Sequence, residues 1–207
     1  LPALNTAQAA VMLDDAGWKL NGTTRYKENA PLRLVITTTK DPQYLQAAEE
    51  LKKQWVALGA QATINSVDST SISAGFVQNV LQARNFDVLL YELVIGSDPD
   101  VYAYWHSSQA NTNGYNFSNY SNKNADATLA SARSRSELNL RSAKYIAFAQ
   151  QWVEDAPALG LYQPVVEYVV NNNNYALSRG ARLVQPTDRY ADVTYWSVDT
   201  AAVYKTP

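Results

Sequence analysis

The chain has 207 residues, 46% of them apolar, with 17 basic and 19 acidic side chains, a formal net charge of −2, one His and no Cys. That length builds one domain of ordinary to large size, or two small ones, around a substantial core, and so neutral a balance leaves no electrostatic footprint for a nucleic-acid backbone. Absent Cys excludes disulfides, a thiol nucleophile and thiolate zinc sites, and no apolar run approaches the roughly 18 residues of a membrane span.

Leu1-Pro2-Ala3-Leu4 is neither the charged nor the apolar part of a signal peptide, so the chain is expected to begin inside something longer. A helix opens it: Asn5 or Thr6 caps, Ala9, Met12, Leu13 and Ala16 supply an apolar face, and Gly17 is the stop before Trp18. Asn21-Gly22 marks a turn, and the β-branched run over 32–38 reads as a buried strand. Asp41 then caps a helix with Pro42 at its first position. Tyr44, Ala48, Leu51, Trp55 and Leu58 form its stripe at helical period, and Gly59 ends it before a strand over 60–67. Strand, helix, strand is a βαβ unit, so the two strands are expected to lie parallel.

A second amphipathic segment carries Ile72, Phe76, Val80 and Leu81 and leads into a third strand over 86–91. Repeated alternation of this kind predicts an α/β fold, a mixed sheet flanked by helices. Residues 96–122 read as loop, followed by helices near 123–133 and 137–154. The second of these buries Tyr145, Phe148, Ala149 and Trp152 and stops at Pro157. The stretch 159–170 is strand-like, and the tail shows no sustained helical period. No repeat and no Pro/Gly/Ser linker divides the chain, so one domain is the simplest reading.

Catalysis has little to stand on. His106 lies near Ser107 and Asp98, but no G-x-S-x-G turn presents a nucleophile. Asp98-Pro99-Asp100 lacks the third acid and the terminal Glu of a calcium loop, and reads as a turn with a cap; no metal site is expected. No glycine-rich phosphate loop is present, so no nucleotide cofactor is expected. What stands out is a mixture of 14 Tyr, 5 Trp and many amides. Tyr91, Tyr102, Tyr104, Trp105, Tyr115, Phe117 and Tyr120 interleave with Asn111, Asn113, Asn116 and Asn119. Rings offer apolar contact at low entropic cost, and amides both donate and accept, which suits a neutral polar solute such as a peptide backbone or a sugar. Tyr91, Phe117 and one of Tyr102 and Trp105 are expected in the core.

Several stretches in collinear order resemble one family. Residues 10–18 (Ala-Val-Met-Leu-Asp-Asp-Ala-Gly-Trp), the Asp41-Pro42 helix closing on residues 54–59, Phe86-Asp87-Val88-Leu89, Asp98-Pro99-Asp100 and Asn119-Tyr120-Ser121-Asn122 are similar to the bacterial extracellular solute-binding proteins of family 5. Ala125-Asp126, Arg141, residues 154–158, Leu161-Tyr162, Asp188-Arg189-Tyr190 and Trp196 extend the likeness. The resemblance implies a lobe of periplasmic-binding-protein type. Residues 1–170 would be the second, C-terminal lobe of a two-lobed receptor and 171–207 its tail. It implies no enzyme and no cofactor, but a monomeric binder that captures a peptide or oligosaccharide and delivers it to the permease subunits of an ABC importer. The location implied is extracytoplasmic, in the periplasm or at the cell surface, with a lipid anchor on a preceding segment left open.

Cleft candidates on this reading are Tyr91, Glu92, Ile95, Ser97, Asp98, Tyr102, Trp105 and His106, with Thr38 and Lys40 at a neighbouring strand end, because ligands of α/β layers gather at the carboxyl ends of strands. In the dipeptide-binding relatives an Asp pairs with the peptide amino group and an Arg with its carboxylate. Ile95 and Thr38 stand at those positions here, which disfavours a free dipeptide and leaves longer peptides and neutral saccharides. Glu92 and Asp98 are the candidate replacements for the acid. A free-standing carbohydrate-binding module is the alternative, resting on composition alone; a hydrolase lacks a nucleophile–base pair.

Overall fold

The computed structural model describes residues 5–69, 75–96, 98–163, 174–175 and 186–198. Two compact units emerge, one of Leu1–Leu93 with Ala110–Phe117, the other of Val94–Gln109 with Ser118–Pro207. The backbone passes between them within continuous sequence, which is why no linker composition marks the division.

In the first unit, helix α1 (Thr6–Asp15) starts at Asn5, whose side chain accepts from the Gln8 amide. It ends in a Schellman motif: Gly17 N–H donates to Asp14 O and Trp18 N–H to Leu13 O, with Gly17 at φ 89°. Met12 and Ala16 do not pack; Met12 is exposed, because only the Ala9–Leu13 side of the helix meets neighbours. Strands β1 (Lys19–Asn21), β2 (Thr24–Lys27) and β3 (Ala30–Pro31) form an antiparallel meander, with the expected turn at Gly22.

Strand β4 (Arg33–Thr39) pairs in parallel with β5 (Gln61–Val67), from Arg33↔Gln61 to Thr39↔Val67, and the expected helix α2 (Pro42–Ala57) connects them and packs on both. Asp41 caps α2 by accepting from Gln43 N–H. Its stripe is only half covered: Ala48 is buried, while Tyr44, Leu51, Trp55 and Leu58 remain partly accessible.

The second amphipathic segment is a π-helix over Phe76–Gln82 that buries Phe76, Val80 and Leu81; Ile72 lies outside the described residues. Its third strand is shorter than predicted. Only β6 (Val88–Leu89) pairs with β4. Asp87 explains the early limit, since its carboxylate takes the Val35 N–H and so replaces a ladder bond. Beyond β6, the Thr38 hydroxyl donates to Leu90 O. The sheet order is β5-β4-β6, and Ile36 through Thr39 are buried, as a central parallel strand requires.

In the second unit, the stretch read as loop contains a one-turn helix α3 (Tyr102–Trp105) and a 3₁₀ turn over Ser107–Gln109. Two short-range carboxylate bonds start it: Asp98 accepts from Asp100 N–H and Asp100 from Tyr102 N–H. Helices α4 (Lys123–Arg133) and α5 (Leu138–Asp155) pair as a hairpin around Leu129, Ala132, Tyr145 and Phe148. Ala149, expected inside, is exposed. Residues 159–163 form no strand, and the rest of that predicted strand lies outside the described residues, as do Asn171 to Asn173. Short 3₁₀ turns at Pro186–Tyr190 and Val193–Tyr195 precede the pairing of β7 (Asn174–Tyr175) with β8 (Ser197–Val198).

Candidate functional site

The order β5-β4-β6 means that the chain leaves β4 toward one edge and returns past it to the other. The topological switch point therefore lies between the carboxyl ends of β4 and β6, where open α/β sheets receive ligands. Thr38, Lys40, Tyr91 and Glu92, four of the residues picked out in the sequence, all fall there. Thr38 is wholly buried, with its hydroxyl turned to Leu90 O. Lys40 is exposed, its backbone N–H held by Val67 O. Glu92 is exposed and its carboxylate accepts from the Tyr44 hydroxyl at 2.6 Å. Tyr91, expected in the core, is instead 42% exposed; it sits just past the end of β6, stacked on Phe76 at 6.0 Å and edge-on to Phe117 at 5.8 Å.

Arg84 organises the neighbouring segment. It occupies the left-handed region at φ 54° and closes the π-helix, with Asn85 N–H reaching back to Val80 O. Its guanidinium donates to the carbonyls of Asn116 (2.6 Å), Asn111 (2.7 Å) and Gly114 (3.2 Å), and lies 5.0 Å from the Phe117 ring centroid. Burial pulls its pKa down from the ordinary arginine value. Sequence reasoning passed over this residue. The one available signal was a cation just after a predicted helix, where the last carbonyls attract positive charge.

The remaining candidates belong to the second unit. Ile95 is exposed, and Ser97 lies outside the described residues. Asp98 pairs with Arg141 at 2.6 Å, and that bond holds its carboxyl below the usual range. Tyr102 stacks on His106 at 4.1 Å, with the Arg133 guanidinium 4.5 Å from the Tyr102 ring centroid and Arg133 paired to Asp100 at 2.9 Å. Tyr102 and Trp105 both pack against the α4–α5 core, where one of them was expected; Trp105 meets Trp152 edge-on at 5.2 Å. Arg133, which sequence reading did not single out, and Asp126, which accepts from Ser107 N–H at 2.8 Å, anchor the segment that carries four candidates.

The chemistry this second group allows is limited. Ser107 Oγ donates to Asp126 at 2.5 Å, while His106 Nδ1 accepts from Ser108 N–H at 3.1 Å and stands 3.9 Å from Asp126. The Ser107 hydroxyl is thus directed at the Asp126 carboxylate, and His106 Nδ1 is taken up by a backbone N–H. Among the described residues no cluster of three or more His, Asp or Glu forms a metal-binding group, and no helix is long and apolar enough to cross a membrane. An open depression of about 610 Å³ lies at the amino end of β5, against Leu20, Thr24, Val56 and Ala62. None of the candidates lines it.

Known proteins share this architecture. The oligopeptide-binding protein AppA from Bacillus subtilis, solved in complex with a nonapeptide, superposes with a TM-score of 0.72 at 22% identity, over 95% of this chain and 38% of that one. NikZ from Campylobacter jejuni, solved with Ni(L-His), gives 0.64 at 24% identity, over 74% of this chain and 31% of that one. Lactococcal OppA, complexed with an endogenous peptide, gives 0.60 at 20%, over 74% and 29%. At these identities the likeness is one of fold, and the chain spans well under half the length of each. No curated protein sequence matches it. Residues 2–116 match the middle region of the bacterial extracellular solute-binding proteins, family 5. The parallel β4–α2–β5 unit and the β4/β6 switch point fall within that match, and the chain belongs to this family.

Proposed function

We propose that this chain supplies part of the capture surface of a two-lobed receptor that feeds an ABC importer outside the cytoplasm, and that its solute is an oligopeptide held without chemical change. On this reading residues 1–170 are the second lobe and 171–207 its tail, and lobe closure on ligand is a population shift driven by contacts made only in the closed state. The observation that carries the reading is family membership together with the clustering of Thr38, Lys40, Tyr91 and Glu92 at the β4/β6 carboxyl ends. The peptide class is supported by two of the similar structures, AppA and OppA, which were solved with peptides.

Length selectivity follows from what is missing. A free dipeptide brings two full charges that need charge-assisted partners. Thr38 offers no charge and is turned inward, Ile95 is apolar, and the Asp98 and Glu92 carboxylates are already engaged by Arg141 and Tyr44, so exposed Lys40 can meet a peptide carboxylate while the amino group goes unmatched. Recognition therefore falls on backbone and side chains, which grow in number with peptide length.

Calorimetry on the full-length protein, with whatever flanks this chain in its gene, tests the proposal. N-acetylated, C-amidated penta-alanine is expected to bind at least about tenfold more tightly than Ala-Ala, a difference near 1.4 kcal/mol. The reverse ranking refutes the length argument. Binding of maltopentaose with no binding of either peptide refutes the peptide class.

A further inference from the structure

Four rings of the first unit touch in succession, Phe76 to Tyr91 to Phe117 to Tyr115, with centroids 6.0, 5.8 and 6.2 Å apart; the first pair is stacked and the other two are edge-on. One end is anchored, since Phe76 is buried among Val80 and Leu81. Tyr91 and Tyr115, by contrast, are 42% and 58% exposed. Both meet the half-buried Phe117 ring, so two accessible phenols adjoin one aromatic surface, and rings with an apolar body and a polar tip are favoured at contacts.

This exposure is held in place. The segment bearing Tyr115 and Phe117 is tied through three of its carbonyls to one guanidinium, that of Arg84, which also lies against the Phe117 ring. Arg84 keeps a left-handed backbone that a residue with a Cβ rarely adopts. Glycine would suit that helix end better, so the side chain is what the position uses. The rings carry no charge, and the carboxylate of Glu92, next in sequence to Tyr91, is engaged by Tyr44.

We propose that Tyr91 and Tyr115 form a subsite for a flat, uncharged aromatic side chain of the bound peptide, and that Arg84 is its positioning residue. The proposal rests on the peptide reading above and deepens it by naming a side-chain preference. Ring–ring contact adds to simple burial, so a phenylalanine in register should bind more tightly than an alanine by roughly two- to twelvefold.

Titration of the full-length protein with two blocked pentapeptides, penta-alanine and the same peptide with a central Phe, gives the readout as a ratio of Kd values. In the native protein the Phe peptide is expected to win by about fivefold, within the range above. Tyr115→Ala and Tyr91→Ala should each bring the ratio toward one. Arg84→Gly should do the same while fitting the left-handed backbone, and its thermal melt reports separately whether the unit stays folded; Arg84→Lys, lacking the planar fork, should recover only part of the preference. A ratio of one in the native protein, with both peptides bound, overturns the subsite and leaves the peptide reading intact. A native preference that survives Arg84→Gly in a folded protein overturns the positioning role. Binding of neither peptide overturns the peptide reading, and the subsite with it.

Discussion

At the scale of single residues, buried polarity does most of the joining. Arg25 is 3% exposed and gathers Asp14 (2.7 Å), Leu58 O (2.7 Å) and Trp18 O (2.6 Å), so one guanidinium ties the ends of α1 and α2 to strand β2. Gly59 is required beside it. At φ 95° a Cβ there would stand 2.9 Å from Arg25 Cγ and from Leu20 Cδ1. In the second unit the Tyr120 hydroxyl donates to Asp155 at 2.5 Å, with Asn122 and Gln151 on the same carboxylate. The Tyr120 bond, more than any other influence, holds the Asp155 carboxyl below its ordinary value, while burial and then that carboxylate push the phenol up. The signs give two limbs. A depressed carboxyl contributes stability that is present above the ordinary Asp value, near 4, and is lost as pH falls through its folded value. A raised phenol contributes below about 10 and is lost at higher pH. Tyr120→Phe should therefore flatten both limbs, with a smaller fall in Tm between pH 5 and pH 2 than in the native protein. Equal acid slopes in the two proteins would show that the bond contributes nothing.

At the scale of elements, capping and packing divide the work. Asn122 accepts from the Asn124 and Ala125 amides to start α4, and Schellman bonds at Gly17 and Gly59 end α1 and α2. The helices differ in how completely their stripes are covered. Leu129 of α4 is wholly enclosed, whereas Trp55 of α2 is only partly covered on its sheet. The cost of truncation follows enclosure, not side-chain size. Leu129→Ala is expected to cost about 3–5 kcal/mol, and Trp55→Ala, with part of its ring already in water, about 2 kcal/mol. Chemical denaturation of both variants checks the order, and a larger loss at Trp55 would mean that α2 is the better-packed helix.

At the scale of the whole molecule, two units carry two different groups of candidate residues. The first presents a carboxyl-end surface with an aromatic ladder; the second presents Asp98, Tyr102 and His106 on a segment pinned by Arg141, Arg133 and Asp126. Incubation of the protein with peptide and glycoside panels, followed by mass spectrometry, should return every compound intact. Saturable turnover that disappears in His106→Ala would contradict the reading as a binder.

Much of this was legible in the order of residues. The Asp41-Pro42 start, the Gly59 stop and the β-branched runs on either side specify α2 and its two parallel strands through local chemistry alone, because capping and periodicity act within a few residues. The spans of α4 and α5 were equally readable, whereas their pairing as a hairpin and the exposure of Tyr91 were not. Other features depend on neighbours distant in sequence. The third strand shrank because Asp87 spends its carboxylate on Val35, 52 residues away. Arg84 looked like an ordinary helix-end cation until the fold brought the 111–117 segment under its guanidinium. Whether Asp98 is free to meet a solute was decided by Arg141, 43 residues on. Short-range bonds and spacing are written in the sequence itself; which side chains meet across loops, and which are thereby used up or left open, exists only once the chain is packed.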